Sequence, residues 1–562
     1  MSMFLRALDE RNPPHSDRRW IFVPEDQLSD DIGPISRSDP LEIGIILIES
    51  HWKAARRPYH KQKLALLWSN LRHFAVEQAS RGVSVRYLTT TRPFQATLAP
   101  LIAKLGPLTV MEPAERELRA DLDPLVRTGG VIVLPHEGWL TTREQFIRGA
   151  GEGSPWRMDA FYRFVRKDTR ILMDGDVPVG GRLSYDVLNR RRWAGDPPAP
   201  KPLSFPIDEI TAEVGELIDR HFSHHPGEMN LSTIPATDKD AQRLWRWAKS
   251  ECLPYFGPFE DAMSVGSRGL FHTRLSSVIN LHRLLPRQTV TETAALNIPL
   301  ASKEGFIRQI LGWREFVRHV HRETDGFRQL PAGRPPVAPT PGDAGYASWR
   351  ATPWPPSKTK AELDGGARPS YLTAHAPLPS AYWGAKSGLA CLDRVVADVW
   401  AEGYSHHITR LMVLSNLATL LDVSPRELTD WFWVAYTDAF DWVVEPNVLA
   451  MGTYAVGDLM TTKPYVSGAA YIAKMSDYCK TCQFNPKTNC PITSMYWAFL
   501  ARHASVLNIN VRMRLPLRAL ERRAPNQRMH DAQVFAAVQG MLQVGKPIDY
   551  DGVRIPLGKI HS

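Results

Sequence analysis

Three cysteines spaced C-x2-C-x7-C, Cys479, Cys482 and Cys490, sit in the segment YCKTCQFNPKTNCP, and Cys391 precedes them. Only one other cysteine, Cys252, occurs in 562 residues. A long chain that otherwise avoids cysteine and then clusters it points to a metal. No signal-peptide pattern opens the sequence, so a disulfide framework is not expected. Zinc and an iron–sulfur cluster both accept four thiolates, and the spacing alone leaves both open beside unligated thiols. Cys252 reads as a buried apolar residue.

Other stretches are denser in polar and aromatic side chains than packing requires. FHTRLSSVIN (271–280) offers Thr273, Ser276 and backbone amides to a phosphate. EGFIRQILGWREFVRHV (304–320) puts Arg308, Gln309, Trp313 and Arg314 on one helix. GYSHHITRLMVLSN (403–416) sets His406 and His407 one turn from Arg410. TDAFDWVVEPNVLAM (437–451) adds Asp438, Asp441 and Asn447. Two adjacent histidines taken alone are more often a surface or capping pair.

These segments need a scaffold. The first part alternates strand-like runs (20–28, 43–50, 83–88, 109–114, 131–140) with a helical pattern over 60–82, which implies a parallel sheet covered by helices. No G-x-G-x-x-G or Walker loop accompanies it. The fold class is therefore an α/β, Rossmann-like N-terminal domain (1–150) joined through a turn-rich linker (151–240) to a large all-α domain (241–520). Eight prolines in residues 331–356 mark an exposed insertion (331–370), because proline cannot continue a helix. Residues 501–562 carry ten Lys/Arg against four Asp/Glu, so much of the net charge of +9 lies in this last stretch, which ends in a basic C-terminal extension (521–562) and suits an anionic polymer. No apolar run reaches the roughly 18 residues of a membrane helix.

R-Q-I-L-G-W-R-E-F, Y-S-H-H-I-T-R-L-M, D-W-V-V-E-P-N, T-K-P-Y and M-S-D-Y-C-x2-C resemble the cryptochrome/photolyase family, in its iron–sulfur branch of bacterial cryptochromes and prokaryotic (6-4) photolyases. E-D-Q-L (25–28), Y-H-K-Q-K-L (59–64), F-Y-R-F-V-R-K (161–167) and G-G-R-L-S-Y-D (180–186) extend the resemblance over nearly the whole chain.

The resemblance implies FAD in the helical domain, held by Phe271, Thr273, Leu275, Ser276, Gln309, Trp313, Arg314, Arg410, Asp438 and Asn447. It implies a [4Fe–4S] cluster on Cys391, Cys479, Cys482 and Cys490, and a 6,7-dimethyl-8-ribityllumazine antenna near Asp26, Gln27, Glu49 and Lys61. It implies blue-light repair of UV-damaged DNA, with His407 as proton donor and His406 supporting it. Trp383 and Trp431 match the inner tryptophans of an electron relay, with Trp433 or Trp400 as substitutes further out. The expected setting is a cytoplasmic monomer. The chain departs from the branch where Phe432 stands for tyrosine, Tyr59 for histidine, Val444-Glu445 for an acidic residue and its neighbour, and Ala455-Val456-Gly457-Asp458 for A-D-G-G. The Val444-Glu445 and Phe432 departures, with the proline-rich insertion as a partner surface, favour the alternative, a blue-light photoreceptor that binds a protein partner.

Overall fold

The computed structural model describes residues 2–14, 18–330 and 366–549. Five parallel strands, β1 (Arg19–Phe22), β2 (Ile43–Ser50), β3 (Ser84–Thr90), β4 (Leu108–Met111) and β5 (Val131–Leu134), form a sheet of order β3-β2-β1-β4-β5. The apolar run of β2 is buried on both faces. Ile45 and Leu47 pack with Leu71 and Phe74 of the helix Lys61–Ser80. Ile46 and Ile48 pack with Phe94 and Leu98 on the opposite side. Alternation along one strand thus builds two core layers. β1 stops at Phe22 rather than running to residue 28; Pro24 has no N–H for a ladder, and Leu28 instead donates its N–H to the Leu281 carbonyl at 2.9 Å in the helical half.

The helical half holds the largest core. Its most deeply buried large side chains include Trp245, Trp431, Arg426, Tyr382 and Tyr436. The two halves are joined by polar contacts as well as packing. Lys63 Nζ donates to the Trp433 carbonyl at 2.9 Å, and His282 Nδ1 meets the Asp26 carbonyl at 2.6 Å.

Residues 151–240 are less turn-rich than the sequence suggests, because they contain the helices Met158–Thr169 and Glu209–His221. In the second, Thr211, Val214, Gly215 and Ile218 form one buried stripe behind an Asp208 cap; the prolines between 197 and 206 mask this periodicity in the sequence. At the C-terminal end, the helix Pro525–Gln543 buries Val534, Val538 and Leu542 in the main core. The proline-rich run 331–356 lies outside the described residues. Among those described, no helix is long and apolar enough to cross a membrane.

Candidate functional site

A cavity of about 290 Å³ opens in the helical half, at the lower end of the range usual for ligand pockets. Its walls come from segments far apart in sequence: Thr273–Asn280, Gln309–Arg314, Tyr404–Leu411 and Asp438–Met451 all contribute. Three of these pass through π-helical turns, Arg308–Arg314, Thr409–Ser415 and Glu445–Gly452. The wider turn carries an extra residue and turns side chains inward that an α-helix would direct elsewhere.

One wall is an ion pair. Arg410 donates through Nη1 and Nη2 to Asp438 at 3.0 and 2.9 Å, and Ser276 Oγ donates to the same carboxylate at 2.6 Å. The guanidinium also lies 4.1 Å from the Tyr436 ring centroid. Arg410 and the Ser276 hydroxyl hold the Asp438 carboxyl below the usual carboxylate range despite burial, so the pair presents a fixed dipole to the cavity. Across from it, Arg314 lies 4.1 Å over Trp139.

Three histidines close one end. His272 and His406 are stacked 4.4 Å apart at 8°, and the His407 ring stands 5.2 Å from His272. His272 is fixed by a 3.1 Å contact from Nε2 to the Glu260 carbonyl. Burial pushes His406 and His407 well below the ordinary imidazole value; the neighbouring rings and Arg410 add to this, and Arg308 acts on His407. Both rings are therefore neutral at pH 7 here. His407 is the less buried of the pair, and an anionic ligand beside it would raise its proton affinity.

Several buried N–H donors of the lining have no partner among the described residues: Arg274 Nη2, Arg314 Nη2 and Trp442 Nε1. Unpaired buried donors are costly and demand an explanation. A set of such donors around an otherwise aromatic and aliphatic cavity fits a flat-ringed, phosphate-bearing ligand such as FAD. Nine of the ten predicted flavin contacts line the cavity, Thr273, Leu275, Ser276, Gln309, Trp313, Arg314, Arg410, Asp438 and Asn447. Phe271 is not among them; it packs outside against Phe259, with ring centroids 5.2 Å apart.

The departures resolve unequally. Val444 does line the cavity, whereas Glu445 turns away into the interior. There it accepts from His321 Nε2 at 2.8 Å and from Arg426 Nη1 at 2.7 Å, which hold its carboxyl down at about 2. The neighbouring acid therefore does not replace the missing one. Asp458 contributes its carbonyl to Arg157 at 2.8 Å and is not part of the lining.

Phe432 lines the cavity and begins a row of rings. Phe432 and Trp431 lie 5.1 Å apart, Trp431 and Trp400 5.9 Å, and Trp400 and Trp383 5.4 Å. The indoles of Trp400 and Trp431 both donate to the Tyr382 carbonyl, at 2.9 and 2.8 Å, which locks their spacing. Trp383 ends the row beside exposed Gly384. Trp400, one of two substitutes considered from sequence, is the middle member. The other, Trp433, lies against Arg57 at 4.0 Å outside the row.

Cys391, Cys479, Cys482 and Cys490 face one small cavity walled by Leu389, Ile472, Tyr478, Phe484 and Ile492. Burial and the other three cysteines push the Cys391 thiol up, and burial takes Cys490 to about 12. Among the described residues no three His, Cys, Asp or Glu side chains converge as ligands of one metal ion. Four thiols facing one apolar-walled cavity are a donor set that an iron–sulfur cluster or a zinc ion accepts.

Three of the four expected antenna residues are engaged by neighbouring groups. Glu49 accepts from Arg72 Nε and Nη2 at 2.8 and 3.0 Å and also meets Tyr87 and His51. Gln27 donates to the Met111 carbonyl at 2.9 Å, and the Asp26 carboxyl, raised by burial to about 6, accepts from the Ala114 N–H. Near Tyr59 a cavity of about 20 Å³ is lined by Glu25, Lys53, Lys63 and Glu115, room for about one water.

Sequence reasoning missed His272, Arg274 and Glu260. His272 adjoins Thr273, but nothing in its spacing announces a stack on His406. Glu260 receives Asn189, Arg308 and Gln309, and burial raises its carboxyl to about 7.

A family model described as Deoxyribodipyrimidine photo-lyase-related protein matches residues 21–233. A curated relative, the (6-4) photolyase of Agrobacterium fabrum (strain C58), is 32% identical over 536 residues, 92% of this chain and 98% of that protein. An uncharacterized protein of Acanthamoeba polyphaga mimivirus is 36% identical over 74 residues, 13% of this chain and 60% of that protein. Among solved structures, a bacterial class III photolyase from Agrobacterium tumefaciens aligns over 94% of this chain and 99% of its own, with 14% identity and a TM-score of 0.49.

Proposed function

This chain belongs to the cryptochrome/photolyase family, and from that premise we propose that it is a (6-4) photolyase, repairing UV-damaged DNA under blue light. The observation that carries the reading is the convergence of the His272–His406–His407 group, the Arg410–Asp438 pair and the ring row on one cavity. FAD held there would supply, once reduced and excited by light, the electron donor that the repair chemistry needs. The Arg410–Asp438 dipole and the unpaired Arg274 and Arg314 donors hold and orient it.

His407 hands a proton to the lesion and takes it back, because it is the less buried of the paired histidines lining the cavity. The lesion's own phosphates raise its proton affinity on arrival, against the arginines that depress it in the free protein. His406, stacked on His272, fixes the ring's approach. The row Trp383–Trp400–Trp431 carries an electron inward from the surface. Phenylalanine at 432 is hard to oxidise and acts as a spacer at the cavity wall. Cys391, Cys479, Cys482 and Cys490 hold a [4Fe–4S] cluster that ties the segment 478–490 to the helix Ala390–Glu402.

A second reading, a photoreceptor without repair, is favoured by one observation: Val444 leaves the cavity wall without the branch's carboxylate. An oligonucleotide carrying a single (6-4) photoproduct separates the two. Reduced protein that restores the undamaged bases in blue light and not in the dark is a photolyase. Bound, photoreducible FAD with no repair establishes the photoreceptor.

A further inference from the structure

Ile509 and Leu515 are 76% and 77% exposed, and Val511 between them is 65% exposed. Large aliphatic side chains this bare, gathered within seven residues, are unlike scattered surface leucines. They are not poorly anchored. Met513 and Leu520 of the same stretch are buried. Asn510 accepts the Arg512 N–H at 2.9 Å, and its amide donates to Tyr454 Oη at 3.2 Å and to the Thr462 carbonyl at 3.0 Å. The turn is held out rigidly.

Basic side chains flank it. Arg512, Arg514, Arg518 and Arg522 are exposed, and none has an acidic partner among the described residues. Arg514, Arg518 and Arg522 recur every fourth residue along and just beyond the helix Arg514–Glu521, a rise of about 6 Å per step, which follows one backbone strand. The turn is tied to a wall of the cavity: Tyr454, which accepts from Asn510, lies three residues past Met451 of the lining.

We propose that Ile509, Val511 and Leu515 form an apolar ridge that enters the duplex beside the flipped-out lesion, while Arg514, Arg518 and Arg522 grip the phosphates of one strand. The inference rests on the repair reading and deepens it. Extruding a base leaves an unstacked gap, and apolar wedges commonly occupy such gaps in bent DNA. Phosphate contacts position without reading sequence. The ridge therefore favours duplex over single strand and is indifferent to the bases it touches.

The test uses the full chain, in the dark, by fluorescence anisotropy. The probes are a duplex carrying one (6-4) photoproduct, the same strand unpaired, and phosphatidylserine vesicles. The triple variant Ile509→Ser/Val511→Ser/Leu515→Ser should cut the duplex-to-single-strand affinity ratio at least about tenfold, the scale of unstacking one base step. The variant Arg514→Gln/Arg518→Gln/Arg522→Gln should reduce the slope of log affinity against log salt by about 3, nearly one per phosphate. An unchanged ratio together with an unchanged slope overturns the proposal, as does vesicle binding that the triple variant loses while duplex binding persists. Illumination separates this from the repair reading. Both dark effects without repair keep the surface and remove the photolyase; repair with neither effect does the reverse.

Discussion

Glu445→Gln isolates the charge that this sequence moved from beside the cavity into the interior. Glu445 is almost wholly buried and its carboxyl titrates at about 2 rather than the ordinary 4.5, because His321 and Arg426 hydrogen-bond it. That difference of about 2.5 units is worth about 3 kcal/mol of folding stability. The sign follows from the depressed value: the contribution is complete above pH 4.5 and is lost as pH falls through 2. Glutamine keeps an acceptor but no charge. Arg426 retains Asp430 at 2.6 Å, so the loss stays near 3 kcal/mol and does not become a stranded cation. For a cooperative unit of about 200–400 residues this lowers the melting midpoint by roughly 4–7 °C. Differential scanning calorimetry at pH 7 and pH 3 reads it, with the gap between variant and wild type narrowing at pH 3. The flavin absorption spectrum should not move, because Glu445 does not line the cavity. A variant that melts with wild type at pH 7, or whose flavin spectrum shifts, refutes the assignment.

Trp400→Phe should slow photoreduction of bound flavin without changing its dark binding, since it breaks the row between Trp383 and Trp431, whereas Trp433→Phe should leave the rate unchanged; equal slowing by both would reject the row. Cys482→Ala should purify with less than stoichiometric iron, and full iron retention by metal analysis would reject the four-thiolate site. Burial depresses His60 and His272 to about 4 and His282 to about 3, so the unfolded chain takes up their protons first as pH falls. Stability should therefore decline from pH 6.5 toward pH 4 by up to about 1.4 kcal/mol per pH unit for each; denaturant midpoints that stay flat across that window would contradict the buried, neutral assignment.

Much of the scaffold was legible because its signals are local. The apolar run 43–50 could only be a doubly covered strand, and the caps and breaks of the helix Lys61–Ser80 stand in its own residues. Most of the cavity's lining was legible for a different reason: motifs carry residue identity even when the geometry is unknown. What failed was long-range. The stack of His272 on His406 joins residues far apart in sequence. The place of Trp400 depends on two indoles sharing the Tyr382 carbonyl. The direction of Glu445 is decided by His321 and Arg426, on two other helices. A one-residue shift of an acid along a helix turns it by about 100°, so Val444-Glu445 has nearly the same composition as its counterpart and the opposite placement. Phe271 shows the same effect, its neighbours Thr273 and Leu275 facing the cavity while it packs outside.

The most direct test is light-driven repair of a (6-4) oligonucleotide by His407→Ala beside wild type, with bound FAD and iron measured on the same samples. General acid catalysis typically contributes 10²–10⁴-fold. The account predicts repair in light by wild type only, the variant falling by at least about a hundredfold with both cofactors retained. A variant that keeps its cofactors and repairs at the wild-type rate would contradict it.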